Sequence, residues 1–122
     1  MIIAGAQAFV YVMEPSDIVD FIFDLSNMLA PGEKIDPTNW QLTMSPEGTA
    51  LGVQIGTAGL YAPQVVNGGL ALRFWLSVTP DQQANILYNG AGTMVPILVI
   101  ASTTNAPPRT FQRTLMVRIA QR

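Results

Sequence analysis

The side chains of this 122-residue sequence that could take part in chemistry are chiefly acids and aromatics, because histidine and cysteine are both missing. Without histidine, the chain lacks the usual general base near neutral pH and the commonest metal ligand. Without cysteine, it has no thiolate nucleophile, no disulfide and no cysteine-type zinc site. We therefore predict a protein that is not an enzyme and that uses no cofactor.

Three acids that lie close together, Asp17, Asp20 and Asp24, are the nearest approach to a metal site. On a strand, Asp20 and Asp24 share a face but lie about 13 Å apart, at roughly 3.3 Å per residue. That separation is too large for one ion, whereas on a helix the two side chains would be adjacent. The dense oxygen-ligand spacing of a calcium loop is absent, so we predict no metal ligands.

Composition excludes several other classes. The glycines form no phosphate-binding motif, and five arginines in an acidic chain supply no basic patch, so we expect no nucleic-acid partner. The longest apolar stretch, 94–101, is far shorter than the roughly 20 residues of a membrane span. The N-terminus lacks the positive charge of a signal peptide, which predicts an intracellular product.

Hydrophobic residues make up 49% and charged residues 11%, against a usual charged share of about 25%. So few charges predict that part of the surface is covered by other protein.

The charges are sorted along the chain. Residues 1–61 hold seven of the eight acids, and residues 62–122 hold five of the six basic residues, all five of them arginine. Arginine suits partly buried pairing, because its planar fork meets a carboxylate with two hydrogen bonds. Either the two halves neutralise each other inside one fold, or acidic and basic edges meet between neighbouring copies.

Short alternating segments separated by turn residues predict an all-β fold. The predicted strands are 8–13, 40–44, 51–55, 64–66, 69–78, 93–103 and 110–120. About seven strands at roughly ten-residue spacing are typical of a sandwich or a small barrel. Segment 79–88 has residues that tolerate a short helical turn. Pro96 places 93–103 at an edge or a bulge, because proline cannot donate to a strand ladder.

Faces follow from the period of two. Leu70, Leu72, Phe74, Leu76 and Val78 share one face of their strand. In the last strand the residues that share the inward face are Phe111, Leu115, Val117 and Ile119, and Arg113 interrupts them. Segment 16–29 fits either a helix or a strand. The two phenylalanines and the β-branched residues favour a strand through Leu25, followed by a turn.

The order of the motifs resembles one family. The first run is Glu14-Pro15-Ser16-Asp17-Ile18-Val19-Asp20-Phe21-Ile22-Phe23-Asp24-Leu25-Ser26, followed by Leu29-Ala30-Pro31-Gly32 and Trp40. The second is Gly92-Thr93, an apolar strand, Thr103-Thr104 and then Arg109-Thr110-Phe111-Gln112-Arg113. Together they resemble the small immunoglobulin-like virion proteins of tailed bacteriophages, often described as fibre-tail adaptors. The chain departs from that pattern at Leu25, at Met94 and in an inserted segment, 79–91.

The resemblance implies an immunoglobulin-like β-sandwich over residues 14–122, preceded by an N-terminal arm or edge strand over residues 1–13. It also implies a structural protein of the virion, made in the cytoplasm of a bacterial host. Its partners would be tail, fibre or major capsid proteins, with further copies of the chain. A capsid decoration (cement) protein is the rival role.

Candidate interface residues lie in the arm, in the loop 79–92 and at or just before the start of the last strand. They are Ile2, Ile3, Phe9, Tyr88, Arg109 and Arg113. A carbohydrate-binding module is the alternative of a different class. Its binding surface would be lined by aromatics drawn from Tyr11, Trp40, Tyr61, Trp75 and Tyr88.

Overall fold

Two β-sheets pack face to face. The computed structural model of the chain describes residues 2–4 and 8–121, with side chains from residue 12 onward. One sheet holds β1 (Ile2–Ala4), β3 (Val19–Asp24), β5 (Val53–Ile55), β6 (Gln64–Val66) and β7 (Ala71–Val78). The other holds β2 (Ala8–Met13), β4 (Ile35–Met44), β8 (Thr93–Thr103) and β9 (Thr110–Ile119). The all-β sandwich expected from the sequence is thereby confirmed.

The strand order is that of an immunoglobulin-like sandwich. In the first sheet β3-β7-β5 corresponds to the order B-E-D, while β1 lies beside β3 in parallel and β6 pairs with the other half of the β7 edge. In the second sheet β9-β8-β4 corresponds to G-F-C, and β2 joins β9 in parallel. The N-terminal segment therefore contributes an edge strand to each sheet.

The ambiguous segment 16–29 contains a strand. β3 pairs antiparallel with β7, with Phe21 opposite Phe74 and Phe23 opposite Leu72. Both phenylalanines are buried, and the rings of Phe21 and Phe74 stack with their centroids 5.9 Å apart. The chain then turns, and Leu25 accepts a backbone hydrogen bond from Met28 at 2.8 Å. The burial of every second residue excludes a helix, because a helix would place the two phenylalanines on different faces.

Pro96 does not mark an edge, and the prediction drawn from it is wrong. β8 lies in the interior of its sheet, between β9 and β4, and its register with β9 runs without a shift from Thr93 to Ser102. The carbonyl of Pro96 accepts from the Ser45 N–H at 3.3 Å, on the β4 side. The N–H and C=O groups of a strand residue point to the same side. The N–H that Pro96 lacks would therefore point towards Ser45, the residue after β4, and not towards β9. The pairing of β8 with β9 loses no hydrogen bond at this proline.

Short helical turns connect the strands at one end of the sandwich. Helix α1 (Pro46–Ala50) follows β4 at once, and the Ser45 hydroxyl caps it by accepting from the Gly48 N–H at 3.1 Å. Between β7 and β8 lie two 3₁₀ turns, Pro80–Gln82 and Ile86–Tyr88. These turns occupy the segment for which the sequence predicts a short helical turn.

The core lies between the sheets. The inward residues of β7 are buried, as are those of β8 from Val95 onward and the last three inward residues of β9. Phe111 and Arg113 lie nearer the start of β9 and are only partly buried. Leu70 precedes the first residue of β7 and is 37% exposed, so it does not belong to the inward face predicted for it.

Candidate interaction surfaces

The predicted N-terminal interface residues fall in paired strands. Ile2 and Ile3 lie in β1, opposite Ile22 and Phe23 of β3, and Phe9 lies in β2. Their side chains lie outside the part of the chain that the structure describes. The backbone pairing agrees with the alternative in which this segment is an extra edge strand.

Tyr88 is a core residue, so its prediction as an interface residue is wrong. Its side chain is 0% exposed, and its hydroxyl donates to the Leu51 carbonyl at 2.7 Å. Burial raises the pKa of this phenol above its ordinary value. The backbone carbonyl of Tyr88 also accepts from the Gln121 N–H at 2.6 Å. Tyr88 therefore fixes the 79–92 loop to the sandwich and presents nothing to a partner.

The two residues before Tyr88 take the exposed position instead. Ile86 is 79% exposed and Leu87 is 55% exposed. The Asn85 carboxamide oxygen accepts from the Leu87 N–H at 2.9 Å, and the Asn85 Nδ2 donates to Gln82 Oε1 at 3.0 Å. The two apolar side chains consequently project from a turn that is hydrogen-bonded at its base. We call Ile86 and Leu87 the apolar loop tip.

The opposite end of the sandwich is held by a buried carboxylate. Glu33 is 1% exposed, and its two oxygens accept from the Arg109 guanidinium. Asn105 Nδ2 donates to the same carboxylate at 2.7 Å, and the Ala30 N–H donates at 2.8 Å. This cluster ties the β3–β4 loop to the β8–β9 loop. For this pair the acidic and basic halves of the chain neutralise each other within one molecule.

The arrangement sets the charge state of Glu33. Hydrogen bonding from Arg109 holds the Glu33 pKa at about 2, and the Ala30 N–H and Thr103 act in the same direction against the effect of burial. Glu33 in turn raises the pKa of Arg109. The sequence gives no sign that Glu33, rather than another acid, is the buried one. Its place after the Pro31-Gly32 turn is the only local feature.

The predicted interface residues Arg109 and Arg113 are both engaged within the molecule. Arg109 also donates to the Met28 carbonyl at 2.9 Å, while Arg113 donates to the Met28 sulfur at 3.3 Å. Both guanidinium groups lie over the Phe111 ring, at 5.0 Å and 5.9 Å from its centroid. About half of the Arg109 side chain stays exposed, so its outer part remains accessible at this end of the sandwich.

The carboxylates of the 14–24 segment stabilise turns. Asp17 Oδ2 accepts from the Glu14 N–H at 3.0 Å, and Asp24 Oδ1 accepts from the Ser26 N–H at 2.9 Å. Asp20 and Asp24 share the outward face of β3, as the strand interpretation requires. Among the described residues, no group of three or more histidine, cysteine, aspartate and glutamate side chains could hold a metal ion.

The aromatic side chains do not gather on one surface. Tyr61 packs edge-on against Trp75, with centroids 5.2 Å apart and ring planes at 80°. The pair borders a cavity of about 300 Å³ on the outer face of the first sheet, together with Ile18, Ile55 and Ala58. Trp40 donates to the Pro37 carbonyl elsewhere, and Tyr88 lies in the core. Of the four aromatics named for sugar binding whose side chains are described, only Tyr61 and Trp75 therefore come together, and they pack against each other. Tyr11 lies in β2, and its side chain is outside the described part of the chain.

The outer face of the second sheet carries a mixed surface. The outward residues of β8, which include Met94, Leu98 and Ile100, are partly exposed. Exposed polar residues flank them on both sides: Gln41 and Thr43 on β4, and Gln112 and Thr114 on β9. The long apolar stretch, 94–101, therefore has one buried face and one half-exposed face.

No helix in the described part of the chain has both the length and the apolar character to cross a membrane. In comparisons with known proteins, no family model matches the chain, and no curated protein or solved structure matches it either.

Proposed function

We propose that this chain is a non-enzymatic structural protein of a tailed-bacteriophage virion, which docks on other virion proteins as a fibre-tail adaptor or as an accessory of the tail or neck. The resemblance of its motifs to the immunoglobulin-like virion proteins supports this role. The immunoglobulin-like order of its strands is the fold that such a resemblance implies.

The observation that carries the proposal is the apolar loop tip. Ile86 and Leu87 are two large aliphatic side chains exposed to solvent. The turn that carries them is fixed by hydrogen bonds of Asn85 at one end and Tyr88 at the other. A preformed apolar projection loses little conformational entropy when a partner covers it. Burying one such side chain stabilises a complex by about 1.5–3 kcal/mol. The loop tip therefore has the properties of a docking element.

Copy number separates the proposed role from the rival one. An adaptor is expected in tens of copies per particle at most, because fibres and tails attach at few places. A capsid decoration protein is expected in hundreds of copies, because it covers the shell. Quantitative staining of purified virions against the major capsid protein measures this ratio. A band close to equimolar with the capsid protein would exclude the adaptor role and favour decoration.

Removing the apolar loop tip is expected to weaken docking. In the double substitution Ile86→Ser and Leu87→Ser, the protein loses two apolar contacts while Tyr88 still fixes the loop. At about 1.5–3 kcal/mol for each side chain, affinity for the particle should fall at least about a hundredfold. Co-sedimentation with virion particles assembled without the protein measures the binding.

A matched control carries the same chemical change elsewhere. Ile18 and Leu60 are also exposed aliphatic residues, at 57% and 89%, and neither belongs to the loop tip. The double substitution Ile18→Ser and Leu60→Ser should leave binding within a few-fold of the unchanged protein. Equal losses in both double variants would show that general surface apolarity, rather than the loop tip, governs docking.

A further inference from the structure

β4 forms one of the two edges of the second sheet. It pairs with β8 on one side and with no described strand on the other. In the described part of the chain, no backbone group outside that pairing bonds to residues 40–44. The inward residues of this stretch, Trp40, Leu42 and Met44, are only partly buried, whereas their neighbours on β8 are at most 1% exposed. The core is therefore incompletely covered along β4.

The hydrogen bond between Ser45 and Pro96 shows which backbone groups of β4 point away from β8. The Ser45 N–H points to β8, where it meets the Pro96 carbonyl at 3.3 Å. Along an antiparallel strand the direction of the backbone groups alternates from residue to residue. Gln41 and Thr43 therefore also point their N–H and C=O groups to β8. Those of Trp40, Leu42 and Met44 point away from the sheet, towards the open edge.

This stretch lacks the usual protection of an edge strand. Natural edges carry charged side chains, proline or bulges, which prevent pairing with other chains. β4 has such features only before residue 40, where its register with β8 shifts and where Asp36 and Pro37 lie. Residues 40–44 contain no charge, no proline and no glycine. The edge is protected at its start and unprotected over its second half.

We propose that β4 pairs with β4 of a second copy of this chain, antiparallel and centred on Leu42. The inference goes beyond the proposed function, in which the chain docks on other virion proteins, by naming an edge at which copies of the chain meet each other. In this register Leu42 faces Leu42 of the second copy, and Trp40 faces Met44. These are the residues whose backbone groups point outward, so every facing pair among them exchanges hydrogen bonds. The two second sheets join into one continuous sheet.

A second copy suits this edge because the sequence is complementary to itself. When the two copies are related by a two-fold axis perpendicular to the sheet, the outer faces of both second sheets lie on the same side of the joined sheet. Exposed Gln41 then faces Thr43 of the second copy, and the half-buried inward residues face each other. Polar residues meet polar ones, apolar residues meet apolar ones, and no charge opposes another.

Charge substitutions at the outward pair test both the edge and the register. Gln41→Lys with Thr43→Lys places like charges opposite each other across the proposed pairing. Gln41→Lys with Thr43→Glu places opposite charges there, because residue 41 of one copy faces residue 43 of the other. Sedimentation velocity on the purified full-length chain should give twice the 13.2 kDa monomer mass for the unchanged protein. We expect the monomer mass for the two-lysine variant and the dimer mass for the lysine–glutamate variant.

The matched control is Gln112→Lys with Thr114→Lys, which adds the same charge to the same outer face on β9. It should remain a dimer, and far-ultraviolet circular dichroism should show all variants folded. A monomeric unchanged protein would overturn the proposal, as would a two-lysine variant at β4 that stays dimeric. Dissociation of the β9 control, or a monomeric lysine–glutamate variant, would also overturn it. None of these results bears on binding of the loop tip to particles, which is measured separately.

Discussion

Replacing Tyr88 by alanine is expected to lower the free energy of unfolding by about 3–5 kcal/mol, the usual cost of removing a buried aromatic side chain. The ring is 0% exposed within the core, and its hydroxyl satisfies the Leu51 carbonyl next to helix α1. The substitution leaves a cavity and an unpaired carbonyl together. Urea unfolding followed by tryptophan fluorescence measures the loss, which should exceed that of any loop substitution proposed above.

The substitution Tyr88→Phe separates the two contributions. It keeps the ring but removes the hydrogen bond to Leu51, and it should cost about 1–3 kcal/mol. Leu60→Ala is the exposed control, because that side chain is 89% exposed and its loss should change little. If Tyr88→Ala unfolded at the urea concentration of the unchanged protein, the burial of the ring would not contribute as we argue.

Acid is expected to destabilise the fold through Glu33. The folded state holds the Glu33 pKa at about 2, whereas its ordinary value, which applies in the unfolded chain, is 4.5. A lowered folded pKa contributes stability that is fully present above the unfolded value and is lost as the pH falls through the folded one. The contribution of Glu33 should therefore decline between about pH 4.5 and pH 2. Urea midpoints measured across that range follow the loss.

Glu33→Gln is the variant that isolates this effect. It should be less stable than the unchanged protein at neutral pH, because a neutral amide pairs poorly with the Arg109 guanidinium. Its stability should also change less with pH over the same range, so that the two curves approach each other in acid. Asp81→Asn is the matched control, because it removes one carboxylate at an exposed position instead. Parallel curves for Glu33→Gln and the unchanged protein would contradict the role given to Glu33.

Much of the fold follows from local patterns in the sequence. The predicted bounds of 8–13, 64–66 and 93–103 coincide with β2, β6 and β8. Alternation identifies these strands because each has a buried face and the side-chain period of a strand is two. The predicted start at residue 40 lies five residues after the start of β4, because the 36–39 stretch of polar residues and proline forms a register shift rather than a regular ladder.

Little of the candidate surface could be predicted in the same way. Ile86, Leu87 and Tyr88 are consecutive large apolar residues in a loop, and no period tells which of them turns inward. The choice depends on Leu51, which is 37 positions away and offers a carbonyl to the phenol. Glu33 is similar, because its partner Arg109 is 76 positions away. Tertiary partners at such distances leave no trace in local spacing.

The parallel pairing of β2 with β9 determines how the domain bears mechanical load. Both strands run in the same direction, so the start of β2 and the end of β9 lie at opposite ends of the sandwich. A force that pulls these two strands apart along the chain acts in shear, and the hydrogen bonds between them resist it together. An antiparallel pair pulled from one end would instead open one bond at a time. A molecule loaded through both ends of this pair would transmit tension before it unfolds.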